Sequence, residues 1–445
     1  MKINPKTFYL ASLGCSKNTV DSESMASLLH QAGYESVEAP AHANLLIVNT
    51  CGFIKPAREE SIQVLKDLAR KKKSGQYLIA AGCLTERYRQ GVLDQVHGID
   101  GILGTRRWMD IVDVVQKLRS GRKDPAPLYH LPDAATVGTD ERGVLRAAVQ
   151  GGSAYLKIAD GCRRPCAFCA IPLIKGTAVS RSSEIILQEA CSLQKMGVKE
   201  INLIAQDTTD YGHDLGLKDG LATLLENMAI ADPDLAWIRI LYAFPGYVTD
   251  HLIEVMASHP QVLPYLDMPL QHAHPDTLKR MRRPANMDWV HRTLAKMRNA
   301  MPDLALRTTF IVGYPGETEA EFQALLDFVQ ETQFDHIGAF TFSFETGTAS
   351  EPLGDPVPAE VKQERLERLM LLQQGISLAR NQKLIGKVLP VLVEGFDNGL
   401  SIGRSYRDAP EIDGLVLVEG QLPVGKISPV QITGAMTHDL AGRPV

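Results

Sequence analysis

At 445 residues the chain is too long for one compact core, and two or three domains are expected. Its composition, 44% hydrophobic and 22% charged, is that of an ordinary globular protein, and a net charge of −5 excludes a global attraction to nucleic acid while leaving room for a local basic patch. No apolar run reaches the roughly 18 residues that span a membrane, and residues 1–15 lack the long apolar stretch of an export signal, so a cytoplasmic location is expected.

Strand signals at residues 8–15, 43–51, 77–83 and 100–105 alternate with helix signals that begin near Asp21 and cover about 56–73 and 107–119. The run at 43–51 is continuously apolar, as in a strand buried on both faces of a parallel sheet. This order predicts an α/β unit over residues 1–120, with an open, doubly wound parallel sheet. Cys15, Cys51 and Cys83 each fall at the carboxyl end of a predicted strand. In such sheets those ends share one rim where ligands bind, and the helix N-termini that follow favour thiolates. The plain alternative is three buried small apolar side chains.

Residues 121–150 carry Gly, Pro, Asp and Arg without periodicity and read as a linker. Strand and helix then alternate about six times over 151–357, with strands at 154–162, 200–207, 237–245, 265–272, 306–315 and 336–345. Amphipathic helices such as 183–197 and 320–333 separate them. Right-handed crossovers make this a partial (βα)6 barrel with its active site at the strand carboxyl ends. Residues 358–386 form a long charged amphipathic helix. The remainder, 387–445, has short strands broken by Gly, Pro and Asp, the pattern of a small β-barrel.

Seven cysteines without a secretion signal argue for metal ligation or catalysis over a disulfide framework. Cys191 lies within an amphipathic helix and is read as structural. Cys162, Cys166 and Cys169 form a C-x3-C-x2-C run just after the first barrel strand. Three thiolates on one loop can hold three irons of a [4Fe–4S] cluster and leave the fourth open to a reacting molecule. A structural zinc site needs a fourth ligand that the loop lacks, although His213 or a distant Cys could supply one. A ferredoxin-like carrier normally has every iron ligated.

This loop at the end of the first strand of a partial barrel resembles the radical S-adenosylmethionine superfamily. The resemblance implies that the open iron binds S-adenosylmethionine and that one electron releases a 5′-deoxyadenosyl radical. It also implies that Phe168, Ser180, Arg181, Gln206, Asp207, Gly313 and Gly316 lie near that cofactor. Each has an ordinary reading as well: Arg181 as a helix-start partner, the two glycines as a strand-to-helix turn.

The whole architecture resembles the methylthiotransferases, which carry a three-cysteine domain, a radical barrel and a C-terminal barrel of the TRAM type. That resemblance implies a second [4Fe–4S] cluster on Cys15, Cys51 and Cys83, S-adenosylmethionine as both methyl donor and radical source, an electron donor such as flavodoxin or ferredoxin, and a sulfur donor. Residues 13–23, 158–176, 266–284 and 403–414 are similar to the branch that modifies the β-carbon of an aspartate in ribosomal protein S12. The other branch acts on the tRNA adenosine next to the anticodon and carries a Tyr-Gly-Cys-Gln-Met-Asn type of run where this chain has Leu13-Gly14-Cys15-Ser16-Lys17-Asn18. The proline common after the first Cys is Ser16 here.

From Arg380 onward seven basic and seven acidic residues balance. A barrel that grips RNA should be basic, so direct RNA binding is not expected. Asp408, Glu411 and Asp413 are instead expected to dock a basic protein partner such as a ribosomal loop; a solvated acidic loop is the simpler alternative. A non-enzymatic iron–sulfur scaffold is a further reading, and the barrel behind the cysteine loop argues against it.

Overall fold

The computed structural model describes residues 6–120, 126–131 and 142–445. The first unit is a six-stranded, all-parallel sheet in the order Glu35–Ser36, Thr7–Ser12, Leu45–Thr50, Tyr77–Gly82, Gly101–Gly104, Leu128–His130. Helices Ser16–Gln31 and Ile111–Arg119 bury Met25, Leu29, Val114 and Val115 on one face of it. Helix Lys55–Lys71 buries Ile62, Leu65 and Leu68 on the other. Strand order reverses between Thr7–Ser12 and Leu45–Thr50, which opens a crevice at their carboxyl ends. Cys15 and Cys51 follow these two strands, and Cys83 follows the next.

The expected linker contributes strands at both ends. Leu128–His130 extends the first sheet, and Ala147–Gln150 runs antiparallel along the edge of the second. These pieces of three and four residues are too short for a period to show. Residues 121–125 and 132–141 of the expected linker lie outside the described residues.

The second sheet holds six parallel strands in sequence order: Ser153–Lys157, Glu200–Ile204, Trp237–Ile240, Val262–Asp267, Ala305–Val312 and His336–Thr341. It curves without closing. Leu193, Leu225, Met256, Met297 and Phe328 of the surrounding helices pack on Leu203, Ile238, Leu266 and Phe310 of the strands. Helix Ala359–Gln382 lies against the last strand and adds Leu369 and Ile376 to this core. The chain ends in a closed barrel of five strands: Val388–Asp397, Leu400–Ser405, Val416–Glu419, Ile427–Ala435 and Leu440–Pro444. Val391, Val416, Val418, Val430 and Ile432 fill it.

This small barrel seats on the amino ends of the central strands through buried charges. Arg404 Nη2 donates to Glu200 Oε2 at 2.5 Å and to Glu394 Oε1 at 2.6 Å, while Arg239 Nε holds Glu200 Oε1 at 2.8 Å. Burial opposes the charge on Glu200, but the two guanidiniums overcome it and bring the carboxyl down to about 2.

The same seating corrects the expected docking patch. Asp413 accepts from Tyr265 Oη at 2.7 Å and from Arg307 Nε at 3.2 Å, and its side chain is only 1% exposed. Asp408 is buried and accepts from Ser405 Oγ at 2.7 Å. Two of the three carboxylates are thus occupied inside the molecule, where no partner reaches them. Glu411 is exposed, but it pairs with Gln150 and Tyr155 across the same interface.

Candidate functional site

The cysteine loop leaves the first central strand at Gly161, whose φ is +78° and whose Cβ, were there one, would lie 2.0 Å from the carbonyl oxygen of Thr177. Only glycine lets the chain turn that closely. The loop is then pinned from several sides. Cys162 N donates to Gly176 O at 3.1 Å, Ala167 N to Met281 O at 2.8 Å, and Ser350 N to Ala167 O at 2.8 Å. Two sulfurs accept weak hydrogen bonds: Cys162 Sγ from Arg164 N at 3.4 Å, and Cys166 Sγ from Arg283 Nη1 at 3.5 Å.

The first unit delivers its trio from a different rim. Cys15 stands just before helix Ser16–Gln31, and Gly14, at φ +98°, brings the chain so close to the second strand loop that an added Cβ would meet Cys51 Cβ at 2.8 Å. Cys83 opens the short helix Cys83–Tyr88.

All six of these cysteines line one cavity of about 450 Å³ between the two units, within the size range of cofactor sites. Phe53, Phe168, Ile171, Phe244 and Phe340 give it apolar walls. Among the described residues, the charged ones in its lining are Lys17, Arg164, Lys175 and Arg283, all cationic, with no carboxylate or imidazole. Burial raises the thiols of Cys83 and Cys169 to about 12 and that of Cys162 to about 11, and it also raises Cys51. Six soft sulfur donors with cationic surroundings suit iron bound through thiolate, because the metal supplies the charge compensation that burial withholds. His213, the possible fourth zinc ligand, is exposed and is not among the lining residues.

The two units are clamped beside this cavity by five buried charges. Lys157 Nζ donates to Asp21 Oδ1 at 2.5 Å and Asp160 Oδ2 at 3.0 Å, and Lys175 Nζ to Asp21 Oδ2 at 3.0 Å. Lys175 also lies 3.2 Å from Asp160, and Arg146 Nη2 reaches Asp21 at 3.2 Å and Asp160 at 3.4 Å. Asp21 belongs to the first unit; the other four lie on the second. Arg58 and Arg87 add a further tie, both binding Glu345 Oε2, at 3.2 and 2.8 Å.

Of the residues expected near the cofactor, Phe168 and Gln206 line the cavity. Gln206 Nε2 donates to Asp160 Oδ1 at 3.3 Å, whereas its buried Oε1 has no hydrogen-bond partner among the described residues. The others are not part of this lining. Asp207 accepts from Arg164 Nε at 2.6 Å and so aims that guanidinium. Ser180 Oγ accepts from Gly212 N at 2.9 Å, and Arg181 Nη1 binds Lys157 O at 2.7 Å and Glu189 at 2.8 Å. Gly313 N donates to Glu317 at 3.0 Å beneath Lys362, and Gly316 O accepts from Arg280. Lys17, Lys175, Tyr242, Gln271 and Arg283 were missed from sequence. Lys17 and Lys175 sit beside the two cysteine motifs, Gln271 and Arg283 fall within the 266–284 stretch noted above, and Tyr242 belongs to no motif.

Comparison with known proteins agrees with this layout. Residues 7–104 match Uncharacterized protein family UPF0004, residues 156–329 the Radical SAM superfamily, and residues 385–445 the TRAM domain. "Ribosomal protein uS12 methylthiotransferase RimO" of Roseiflexus sp. (strain RS-1) is 48% identical over 98% of this chain and 97% of its own length. The protein of the same name from Chloroflexus aurantiacus is 49% identical over 98% and 99%. Among solved structures, the radical S-adenosylmethionine methyltransferase TsrM from Kitasatospora setae aligns over 89% of this chain and 80% of its own, with TM-score 0.57 and 12% identity. OxsB, a cobalamin-dependent S-adenosylmethionine radical enzyme, aligns over 83% and 56%, with TM-score 0.53 and 11% identity. These two likenesses concern the fold. By its near-full-length identity to the curated relatives, the chain belongs to the family of radical S-adenosylmethionine methylthiotransferases that carry the name ribosomal protein uS12 methylthiotransferase.

Proposed function

We propose that this enzyme replaces a hydrogen on the β-carbon of an aspartate in ribosomal protein uS12 with a methylthio group. The observation that carries the reading is the convergence of two cysteine trios, from two folding units, on one cavity. Cys162, Cys166 and Cys169 would hold one [4Fe–4S] cluster, and Cys15, Cys51 and Cys83 a second. Bound together, the clusters and S-adenosylmethionine would supply a carbon-centred radical to remove the hydrogen, and a sulfur atom and a methyl group to replace it.

The protein's own part is placement and shielding. Arg283 and the backbone of Arg164 hold Cys166 and Cys162 in orientation. The phenylalanine walls exclude water from a reaction that solvent would quench. Phe168 and the unpartnered Oε1 of Gln206 would contact S-adenosylmethionine, while Ser180, Arg181, Asp207, Gly313 and Gly316 would act from behind the wall. Modification of a tRNA adenosine gains no support, since the relatives above are named for the protein substrate. A ribosomal substrate implies a cytoplasmic enzyme served by an electron donor such as flavodoxin or ferredoxin and by a sulfur donor. No helix among the described residues is long and apolar enough to cross a membrane.

Anaerobic reconstitution of two triple-alanine variants tests the reading. Loss of Cys162, Cys166 and Cys169 should abolish deoxyadenosine formation. Loss of Cys15, Cys51 and Cys83 should remove iron and block methylthiolation of a uS12 peptide while deoxyadenosine still forms. Unchanged iron in the second variant, or no mass change of the peptide with the unmodified enzyme, would overturn it.

A further inference from the structure

We propose that Lys17 binds the side-chain carboxylate of the substrate aspartate and thereby selects an acidic residue over its amide. The assignment rests on the functional reading above and deepens it.

Four cations line the cavity, and three are already engaged. Arg164 is held by Asp207 at 2.6 Å and Asp210 at 3.3 Å, and Lys175 by Asp21 at 3.0 Å and Asp160 at 3.2 Å. Arg283 donates to the carbonyl of Pro269 and to Cys166 Sγ. Lys17 makes no hydrogen bond or ion pair among the described residues. The residue as a whole is nevertheless only 9% exposed, and its ammonium sits 3.1 Å from the centroid of the Tyr242 ring. An aromatic face attracts a cation but brings no negative charge. An ammonium on the cavity wall with no counter-ion of its own is free to meet an anion that enters the cavity.

The surroundings point the same way. Tyr242, the platform under Lys17, has φ +63°, and Gln271, also on the cavity wall, has φ +74°. Left-handed conformations at non-glycine residues are strained, and such strain gathers at ligand sites. Lys17 lies in the first turn of helix Ser16–Gln31, whose partial positive charge adds to its own. It is also two residues from Cys15, on the wall assigned to the sulfur-bearing cluster. In aspartate the carboxylate carbon is bonded directly to the β-carbon, so an ammonium that fixes the carboxylate also fixes the C–H to be replaced.

The test uses full-length, reconstituted enzyme, Lys17→Met and Lys17→Arg, with a uS12 peptide carrying the substrate aspartate and its asparagine counterpart. Iron content and affinity for S-adenosylmethionine are measured beside peptide binding by fluorescence anisotropy and methylthiolation kinetics. Lys17→Met should keep its iron and S-adenosylmethionine affinity, raise Kd and KM for the aspartyl peptide roughly 10- to 100-fold, and lose the preference over the asparaginyl peptide. Lys17→Arg should retain part of that preference. Unchanged KM with intact discrimination in Lys17→Met overturns the assignment. Loss of iron or of S-adenosylmethionine binding does too, since Lys17 would then serve the cofactors. If the unmodified enzyme leaves the aspartyl peptide unmodified, the functional reading itself falls, and Lys17's role with it.

Discussion

The five-charge clamp between the first two units predicts an asymmetry that contact counting would miss. Among the described residues it contains three cations, Arg146, Lys157 and Lys175, and two carboxylates, Asp21 and Asp160, none more than 4% exposed. Asp21→Asn would leave three buried cations facing one carboxylate and would break contacts at 2.5, 3.0 and 3.2 Å. Removing one partner of a buried ion pair costs about 3–5 kcal/mol. Lys157→Met would instead leave two cations and two carboxylates, with an apolar side chain of similar length in the vacated space. Both carboxylates would still be paired, with Lys175 and Arg146, so the loss is expected to be smaller than for Asp21→Asn, where a buried charge is left short of a partner. The balance of forces at Lys157 agrees. Burial and the neighbouring Lys175 and Arg146 outweigh its two carboxylates and hold its pKa below the ordinary lysine value. At Lys175, by contrast, the carboxylates overcome burial and raise it. Thermal melts of the apoproteins near neutral pH should lower the midpoint on the order of 5–10 °C for Asp21→Asn and by a small fraction of that for Lys157→Met. Equal losses, or a greater loss for Lys157→Met, would refute this charge accounting.

Two further outcomes follow from burial. Glu200, brought down to about 2 in the folded protein, contributes stability that is complete above its unfolded value of 4.5 and fades as the pH falls toward 2. Apoprotein melts over that window should therefore slope less steeply for Glu200→Gln, and identical slopes would count against the ion pairs. Cys83 and Cys169, raised from 9.0 to about 12, hold roughly a thousandfold less thiolate than an ordinary thiol at the same pH. Iodoacetamide at pH about 8, followed by peptide mapping, should label them last and the exposed Cys15 early.

Most of the longer parallel strands were legible because they are runs rich in apolar residues, as at Leu45–Thr50 and Tyr77–Gly82. The cysteine trios were legible because strand-end position follows from the same runs. The clamp was not. Asp21 and Lys157 sit within segments whose pattern says only helix and strand, and the two lie more than a hundred residues apart. The acidic run of the C-terminal barrel misled for a related reason. Sequence reports the sign of Asp408 and Asp413 but not that Arg307 and His336, from another unit, wait for them. Tyr242 and Gln271 could not be read because their left-handed backbone is imposed by tertiary structure against local preference.

The placement of the trios also bears on how the protein is made. A ribosome releases the chain amino end first, and domains fold as they emerge. The sheet that presents Cys15, Cys51 and Cys83 is complete up to Gly104 before Cys162 has left the exit tunnel. During that interval no second unit covers the rim, and on the function proposed above it would be open to whatever delivers iron and sulfide. Once the second unit folds against it, the same rim becomes one wall of the shared cavity, and whatever reaches it must come through that cavity's opening.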